Sequence, residues 1–478
     1  MDSRKVLLVE LNEITWTLID PLIERGRLPT FARLKREGTW GAPVSVDLPP
    51  MMDPWITWTT VYSGRPQSEH NLCFLEQPPQ TIRARRIWEI CNENGLRVGV
   101  YGSLCSWPPQ SVDGFYVPDT FAPDPATHPE SLRAIQELNL TYTRSVHLPT
   151  DQDGLMFKAR LAARLLGLGL KARTAACVAR QLAHERWNPK VRWRRVALQP
   201  LVNLDFFSRL YLRYRPEFAS FHTNHVAHYM HTYWKAMQPE AFSQPASADE
   251  VRTFGRAIEY GYRTADALLA RMLKLLDPET TLVVASSMGQ KPFVSKHERG
   301  KAIALFRSPD QLLEILGVGG QAKTLTTMSG QFNIYADTAS TRDFIVGALR
   351  TAYIDSPGRR MFDLYSVGNC VTVNLRTLEQ EIAEDARCFF PRAGQTRSFR
   401  YHDLVYDTGL VKSGCHDPTG MILFYGPGIG PAVRIEQCNN LDIAPTLLTL
   451  LGVPIPPQMT GRVLPVTSDT ARSVRNVG

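Results

Sequence analysis

Four of the eleven histidines in the chain lie within ten residues of one another, at His222, His225, His228 and His231. In a helix, side chains three residues apart lie on neighbouring positions of one face. Imidazole is a common metal ligand, and it can carry a proton near neutral pH. The spacing therefore predicts a helix face that binds a metal ion or an anionic group. The alternative is a polar, partly exposed helix face without a ligand.

The elements expected to position these histidines are buried strands that alternate with helices. Continuous apolar runs predict strands at 5–11, 96–102, 217–222, 281–286 and 421–428, and helical periodicity occupies segments such as 15–25, 28–35 and 82–94. This alternation predicts an α/β fold with a central, mainly parallel sheet and helices on both faces. In such folds the functional residues gather at the carboxyl ends of the strands.

Several polar residues stand at the ends of these predicted strands. Glu10 and Asn12 follow the first strand, Asn224 follows the third, Ser287 follows the fourth, and His416 precedes the fifth. A carboxylate at the end of a buried strand requires a partner, so Glu10 predicts a salt bridge or a ligand contact.

Asp53 stands immediately before Pro54, a residue typical of the first turn of a helix. A carboxylate at this position could act as a general base or as a covalent nucleophile. An ordinary helix N-cap is an equally good interpretation of the same residue.

Basic residues are concentrated in one part of the chain. Eleven Lys or Arg residues and one acidic residue, Glu185, lie between Lys158 and Arg195, whereas the formal net charge of the whole chain is +8. The stretch 157–171 has the pattern of a basic amphipathic helix. It favours a phosphorylated or otherwise anionic partner or an anionic membrane surface, or it is a solvated face with no partner. Nucleic acid is disfavoured, because no recognition motif accompanies the charge.

The eight cysteines are scattered and form no CxxC pair, which argues against a zinc knuckle or a thioredoxin-like motif. No apolar run reaches about twenty residues, and the apolar stretch before Glu10 is too short for a secretory signal. We therefore expect a cytoplasmic protein with reduced thiols.

The composition along the chain predicts a core that is interrupted twice. The predicted division is 1–134 for the first part of an α/β core, 135–200 for a basic helical cap insertion, 201–340 for the second part of the core, 341–400 for a second insertion or irregular excursion, and 401–478 for the C-terminal part of the core.

Four segments resemble the alkaline phosphatase superfamily, and most closely its type I phosphodiesterase and nucleotide pyrophosphatase branch. They are the C-terminal segment 440–456 followed by Met459-Thr-Gly-Arg, the helix 28–38, the segment 58–66 with His70 downstream, and the loop 107–123. The resemblance implies an alkaline phosphatase-like fold, two zinc-like ions held by six ligands, and a Thr or Ser nucleophile.

The sequence departs from this pattern at most ligand positions. Asn12 stands where the family has an Asp, Ser287-Met288 stands in place of an Asp-His pair, and Asp53 lies where the hydroxyl nucleophile is expected. His416 matches the last ligand of the family, and Asn224-x3-His228 keeps half of an Asp-x3-His pair. These changes predict the loss of one metal site.

Two interpretations of the remaining site follow from these residues. In the first, His228, His416 and either Asp53 or Asn224 hold one divalent metal ion, Zn²⁺ or Fe²⁺. In the second there is no metal. Asp53 is then the base or nucleophile, Glu10, His228 and His416 transfer protons, and the substrate is bound by the neighbouring polar residues Asn12, Asn224, His225, His231 and Ser287.

The resemblance and the retained titratable groups together predict an enzyme that hydrolyses or transfers a phosphoryl, sulfate or other anionic group. Its substrate would be an anionic small molecule or a phosphorylated compound. The alternative is a catalytically inactive protein that keeps the pocket to bind an anionic ligand or a partner.

Overall fold

The structure is a computed structural model that describes residues 4–145, 163–294, 301–327, 330–376, 382–392 and 395–467. The strands within these ranges are β1 (Lys5–Leu11), β2 (Thr39–Gly41), β3 (Val98–Tyr101), β4 (Gly114–Val117), β5 (Phe218–Thr223), β6 (Thr280–Ser286), β7 (Gly289–Pro292), β8 (Lys301–Phe306), β9 (Ala322–Thr326), β10 (Gln331–Ala336), β11 (Tyr353–Ile354), β12 (Phe362–Val367), β13 (Cys370–Leu375), β14 (Arg387–Arg392), β15 (Gln395–Arg400), β16 (Val405–Lys412), β17 (Gly414–Asp417), β18 (Met421–Tyr425) and β19 (Val433–Ile435).

The α-helices are α1 (Trp16–Glu24), α2 (Pro29–Glu37), α3 (Pro54–Ser63), α4 (Gln67–His70), α5 (Ile87–Glu93), α6 (Arg133–Ser145), α7 (Ala172–Trp187), α8 (Leu198–Tyr214), α9 (His225–Met237), α10 (Ala248–Phe254), α11 (Ala257–Met272), α12 (Pro309–Leu316), α13 (Ala339–Thr351), α14 (Tyr401–Leu404) and α15 (Ile443–Leu451). Short 3-10 helices lie at Pro79–Thr81, Glu130–Leu132, Pro189–Ala197, Pro239–Ala241 and Asn440–Asp442.

The central sheet has eight strands in the order β19-β2-β18-β6-β1-β5-β3-β4. The strands from β6 to β4 in this order run parallel to one another, whereas β18 is antiparallel to both β6 and β2. The prediction of an α/β fold with a mainly parallel central sheet is confirmed. All five predicted strands are present, whereas the short strands β2, β4 and β19 are not among the predicted elements.

The two faces of this sheet are covered by separate hydrophobic clusters. In β1, Leu7 and Val9 face one cluster, whereas Val6 and Leu8 face the other. This double burial explains why β1 is a continuous apolar run rather than an alternating one. It also explains why polar side chains appear only where the strand ends.

The predicted helix 82–94 is shorter in the structure and begins at Ile87. The carboxylate of Glu89 accepts a hydrogen bond from the backbone N–H of Arg86 at 2.7 Å, which caps the helix at that point. The described part of the basic insertion, 135–145 and 163–200, is mainly helical, and it includes most of α6, residues 163–168, α7 and the 3-10 helix Pro189–Ala197. Residues 157–162 of the predicted amphipathic helix lie outside the described residues.

A third buried cluster, in the C-terminal half, extends from Phe306 to Val405, and it includes residues of the predicted excursion 341–400. It includes a four-stranded sheet with the order β12-β13-β10-β9 and a three-stranded sheet with the order β11-β14-β15. The predicted domain boundaries stay a prediction. Among the described residues, no helix combines the length and the apolar character that crossing a membrane requires.

Candidate active site

Three side chains from three separate elements meet beyond the carboxyl end of β1. They are Glu13, just after β1, His231 on α9, and His416 on β17. Glu13 Oε2 lies 3.0 Å from His231 Nε2, and Glu13 Oε1 lies 3.8 Å from His416 Nε2. One ligand atom from each residue lies within 4.8 Å of the other two. We call these three residues the Glu13 cluster.

Backbone carbonyl groups fix the orientation of both imidazole rings. His231 Nδ1 lies 3.0 Å from Gly414 O, and His416 Nδ1 lies 2.9 Å from Met52 O. A carbonyl oxygen can only accept a hydrogen bond, so each Nδ1 carries the proton. Each Nε2 then directs a lone pair or a second proton toward the carboxylate of Glu13. Metal-binding histidines commonly have this arrangement, because the bond from Nδ1 fixes the ligand orientation of Nε2.

The charge of the cluster follows from its surroundings. Burial alone would raise the pKa of Glu13, but His231 and His416, with hydrogen bonds from His231 and Gln290, lower this pKa to about 2. Burial lowers the pKa of His416 to about 4 despite the opposing effect of Glu13. At neutral pH a carboxylate therefore faces a neutral imidazole. This arrangement of ligand atoms could hold a metal ion.

Two amide side chains hold the carboxylate of Glu13 in place. Asn12 Nδ2 donates to Glu13 Oε1 at 2.9 Å, and Gln290 Nε2 donates to Glu13 Oε2. Gln290 Nε2 also donates to Ala227 O at 3.2 Å, which ties the carboxylate to α9. The carboxylate is therefore positioned before any ligand arrives.

Asp53 borders the Glu13 cluster on the side of α3. It occupies the N-cap position of this helix, and its side chain makes no capping hydrogen bond. Its Oδ1 lies 3.6 Å from His416 Nδ1, and 36% of the side chain is exposed. The backbone of Asp53 is therefore that of a helix N-cap, whereas its carboxylate is partly exposed beside the Glu13 cluster.

The positions where the resemblance implies other metal ligands are filled by neutral side chains. Asn12 Oδ1 accepts from Trp58 Nε1 at 2.8 Å, and its Nδ2 also donates to Asn224 Oδ1 at 2.7 Å. Ser287 is buried and shares a hydrogen bond of 2.8 Å with Thr57, and Met288 is buried in the core. This part of the pocket is therefore packed by uncharged groups.

Glu10 belongs to a separate buried network. Its carboxylate accepts from Tyr62 at 2.7 Å and from Ser103 at 2.8 Å, and it lies 3.0 Å from His222 Nδ1. The prediction that this carboxylate has partners is met by these three groups. None of them belongs to the Glu13 cluster, so the structure does not bring Glu10 together with His416 or Asp53.

The four neighbouring histidines from His222 to His231 have different surroundings in the structure. His225 is buried, with Nδ1 2.9 Å from Thr223 Oγ1 and Nε2 3.2 Å from Gly261 O, so both ring nitrogens are occupied. Burial lowers the pKa of His225, and that of His228 next along the helix, to about 4. Of the four, only His231 contributes a ligand atom to the Glu13 cluster.

The candidate ligand set that the geometry brings together thus differs from the predicted set of His228, His416 and Asp53, which stays a prediction. His416 belongs to both, whereas Glu13 and His231 replace the other two. The reason lies in the path of the chain. Glu13 has a left-handed backbone conformation, with φ of 61°, which turns its side chain toward α9. The second half of α9 lies along the start of β17, since Ser413 N donates to His231 O at 2.7 Å.

The fold and the site together define an α/β protein with a candidate centre of two histidines and one carboxylate. No protein-family model matches the chain. Over 78 residues the chain is 31% identical to human (Homo sapiens) arylsulfatase K, a stretch that spans 16% of this chain and 14% of that protein.

Solved structures of ectonucleotide pyrophosphatase/phosphodiesterase 5 are similar to the chain at low identity. For the murine protein the identity is 14%, the match covers 95% of this chain and 96% of that chain, and the TM-score is 0.41. For the human protein the identity is 13%, the coverage is 96% and 97%, and the TM-score is 0.43. An inactive variant of the murine protein in complex with AMP matches with 13% identity, 95% and 96% coverage and a TM-score of 0.42.

Proposed function

We propose that the protein hydrolyses or transfers a phosphoryl or sulfuryl group of an anionic substrate at the Glu13 cluster, as a divergent relative of the alkaline phosphatase superfamily. One observation carries this proposal. Two imidazole nitrogens, each with its partner Nδ1 bound to a backbone carbonyl, converge with a buried carboxylate on one point. This convergence of two imidazoles and a carboxylate is the geometry that a divalent metal ion favours.

The residues present suit a single divalent ion. Two neutral imidazoles and one carboxylate form a set that holds Zn²⁺ or Fe²⁺ with open positions for a substrate. Glu13, His231 and His416 would hold the ion, and Asn12 and Gln290 would orient the carboxylate. When bound, the ion would supply Lewis-acid polarisation of a phosphoryl or sulfuryl oxygen.

Asp53 is suited to accept the proton of the attacking water. Its carboxylate is partly exposed and lies beside His416, and its backbone forms the N-cap of α3. The backbone N–H groups of that turn favour an anionic group nearby. Hydrolysis then forms a bond from the water oxygen to phosphorus or sulfur and breaks the ester bond. The leaving oxygen takes a proton from solvent.

The second candidate function is ligand binding without catalysis. It is favoured by the neutral packing of Asn12, Ser287 and Met288, because the resemblance implies metal ligands at these positions. The same cluster would then bind an anion through a metal ion without turnover.

A cytoplasmic location also stays a prediction.

The test is the metal content of the purified protein by inductively coupled plasma mass spectrometry. We expect about one equivalent of a divalent ion in the parent protein, and its loss in Glu13→Gln, His231→Ala and His416→Ala. His228→Ala is the matched control, because it removes an imidazole from the same helix outside the cluster, and it should keep the ion. Loss of the ion in His228→Ala with retention in His231→Ala would contradict the proposed ligand set.

Turnover separates the two candidate functions. We expect hydrolysis of one or more of p-nitrophenyl phosphate, bis-p-nitrophenyl phosphate and p-nitrophenyl sulfate. Asp53→Asn should lower kcat by about 10²- to 10⁴-fold while it keeps the metal ion. A metal-loaded parent protein that hydrolyses none of the three esters would favour the binding function.

A further inference from the structure

A cavity outside the Glu13 cluster has five arginines among its ten lining residues. Its volume is about 540 Å³, and the lining residues are Arg27, Trp193, Arg194, Val251, Arg252, Thr253, Arg256, Glu259, Tyr260 and Arg263. They come from the loop after α1, from the 3-10 helix of the basic insertion, and from the region of α10 and α11. None of them belongs to the Glu13 cluster. We call this space the arginine cavity.

The five arginines of the cavity face a single acidic residue, Glu259, which lies 3.5 Å from Arg27. Arg252 is paired with Asp249 at 2.9 Å. Within the described part of the chain, Arg194, Arg256 and Arg263 have no carboxylate within ion-pair distance. Like charges gathered around one cavity repel one another, so an anion bound among them would be strongly favoured.

Arg194 is held in place before any ligand binds. Its guanidinium carbon lies 5.2 Å from the ring centre of Trp193 and 5.9 Å from that of Tyr260. Its Nε is buried and has no hydrogen-bond partner among the described residues. A buried donor without a partner is a costly feature, and an acceptor oxygen from a ligand would satisfy it.

The aromatic walls of the cavity are also fixed by contacts. The rings of Trp193 and Tyr260 lie 5.3 Å apart at 84°, and Trp193 O accepts a hydrogen bond from Tyr229 of α9 at 3.1 Å. They offer an apolar surface beside the arginines. A ligand with both anionic groups and a compact organic frame would contact both kinds of wall.

We propose that the arginine cavity binds a small polyanion that carries two or more phosphate or sulfate groups. Guanidinium groups pair with the oxygens of such groups through two parallel hydrogen bonds, and several arginines can engage several groups at once. A single monovalent anion would leave most of the arginines unpaired. The basic insertion thereby gains a specific role, because it supplies Trp193 and Arg194. This proposal is independent of the function proposed for the Glu13 cluster.

Isothermal titration calorimetry of the full chain in a chelating buffer tests the proposal, with tripolyphosphate as one probe and a multiply sulfated disaccharide as the other. We expect one binding event per chain. Arg194→Gln and Arg263→Gln should each weaken it by about tenfold or more, the loss typical of a charged hydrogen bond. Arg186→Gln is the matched control, since it removes the same charge from an exposed position of the insertion outside the cavity. It should change Kd by less than about twofold.

Arg256→Gln, at an exposed position of the cavity rim, gives a further variant if Arg194→Gln lowers the melting temperature. The tighter of the two probes identifies phosphate or sulfate as the bound group. Equal weakening by Arg186→Gln, or no binding of either probe at low salt, would overturn the proposal. The proposal would also be overturned if the protein bound anionic vesicles through Arg194 while neither probe bound. Repeating the titration with Glu13→Gln separates the two sites, because the cavity should retain its affinity in that variant.

Discussion

At the scale of single residues, Asn12 determines how much negative charge the Glu13 cluster carries. Its amide group donates to Glu13 and to Asn224 and accepts from Trp58. Because this side chain is neutral, Glu13 is the one carboxylate that both histidines contact, while Asp53 lies beside His416 alone. The resemblance implies an Asp at this position, so the neutral amide is consistent with a centre for one metal ion.

Replacing the amide by a carboxylate should make the fold depend on a cation. Asn12→Asp turns the donor at 2.9 Å from Glu13 into an acceptor and places two carboxylates side by side. Without metal we expect a loss of about 1–3 kcal/mol in the free energy of unfolding. Added Zn²⁺ should raise the melting temperature of the variant more than that of the parent. Thermal unfolding in EDTA and in excess Zn²⁺ measures both effects.

Asn224→Asp is the control for this substitution. Asn224 is exposed, and it accepts the hydrogen bond from Asn12 through its Oδ1, a role that a carboxylate keeps. Its stability should therefore change little in either buffer. A parent-like response of Asn12→Asp to Zn²⁺ would contradict the assignment of the metal to the Glu13 cluster.

At the scale of elements, the close contact between α9 and β17 places the two histidines of the cluster next to each other. Gly414 begins β17, and its carbonyl accepts the hydrogen bond from His231. A Cβ atom at this glycine would lie 2.5 Å from both Met230 O and Gln290 Oε1. The absence of a side chain at this position is therefore what allows β17 to approach the helix.

Gly414→Ala should push α9 away from β17 and disturb the cluster. We expect a loss of about 1–3 kcal/mol in the free energy of unfolding, the usual cost of overpacking, together with weaker metal binding. Gly319→Ala is the control, because a Cβ there meets no atom within 4 Å. Denaturant unfolding and metal titration of the two variants provide the measurement. Equal effects of both substitutions would show that the contact at Gly414 is not critical.

The elements also show which parts of the fold can be predicted from sequence. Strands β1, β5, β6 and β18 are apolar on both faces, so they appear in the sequence as continuous runs. Strand β2 has three residues, which is too short for a pattern to emerge, and β4 lies within the segment 107–123 that the resemblance assigns to a loop. The histidine spacing predicts helix α9, but nothing in the sequence predicts its position against the sheet.

The candidate site was predictable only in part, for two physical reasons. The left-handed backbone of Glu13 is rare outside glycine, so nothing in the sequence indicates where its side chain points. His228 and His231 lie on adjacent positions of one helix, and only the tertiary contact with β17 decides which of them faces His416. The resemblance predicts that Asp53 and His416 lie near each other, and Asp53 Oδ1 lies 3.6 Å from His416 Nδ1 in the structure.

At the scale of the whole molecule, buried titratable groups determine how stability responds to acid. His70 lies 3.1 Å from Thr60 Oγ1 and accepts from Leu72 N at 3.1 Å. Burial, with the charges of Arg65 and Arg86, lowers its pKa to about 3. The unfolded chain binds a proton at this histidine near pH 6.5, so folding is favoured above that pH. The stabilisation is lost as the pH falls from 6.5 toward 3.

Buried carboxyl groups change the pH dependence of stability in the opposite direction. Burial raises the pKa of Asp119 to about 6, although hydrogen bonds from Phe121 and Ser106 lower it, and burial with the charge of Asp119 raises the pKa of Glu76 well above its usual value. These groups stay protonated in the folded protein at a pH where the unfolded chain has lost the protons. Their contribution is present in acid and is lost as the pH rises through their folded pKa values.

His70→Asn should make the protein less sensitive to acid, since an amide oxygen can accept from Leu72 N and does not titrate. Each proton that only the unfolded chain binds changes the free energy of unfolding by about 1.4 kcal/mol per pH unit. We expect the slope between pH 6 and pH 4 to fall by up to that amount, even if the variant is less stable at pH 7. Urea unfolding at a series of pH values measures the slope. His184→Asn, at an exposed position of α7, should leave it unchanged, and an equal change in both variants would show that burial of His70 is not the cause.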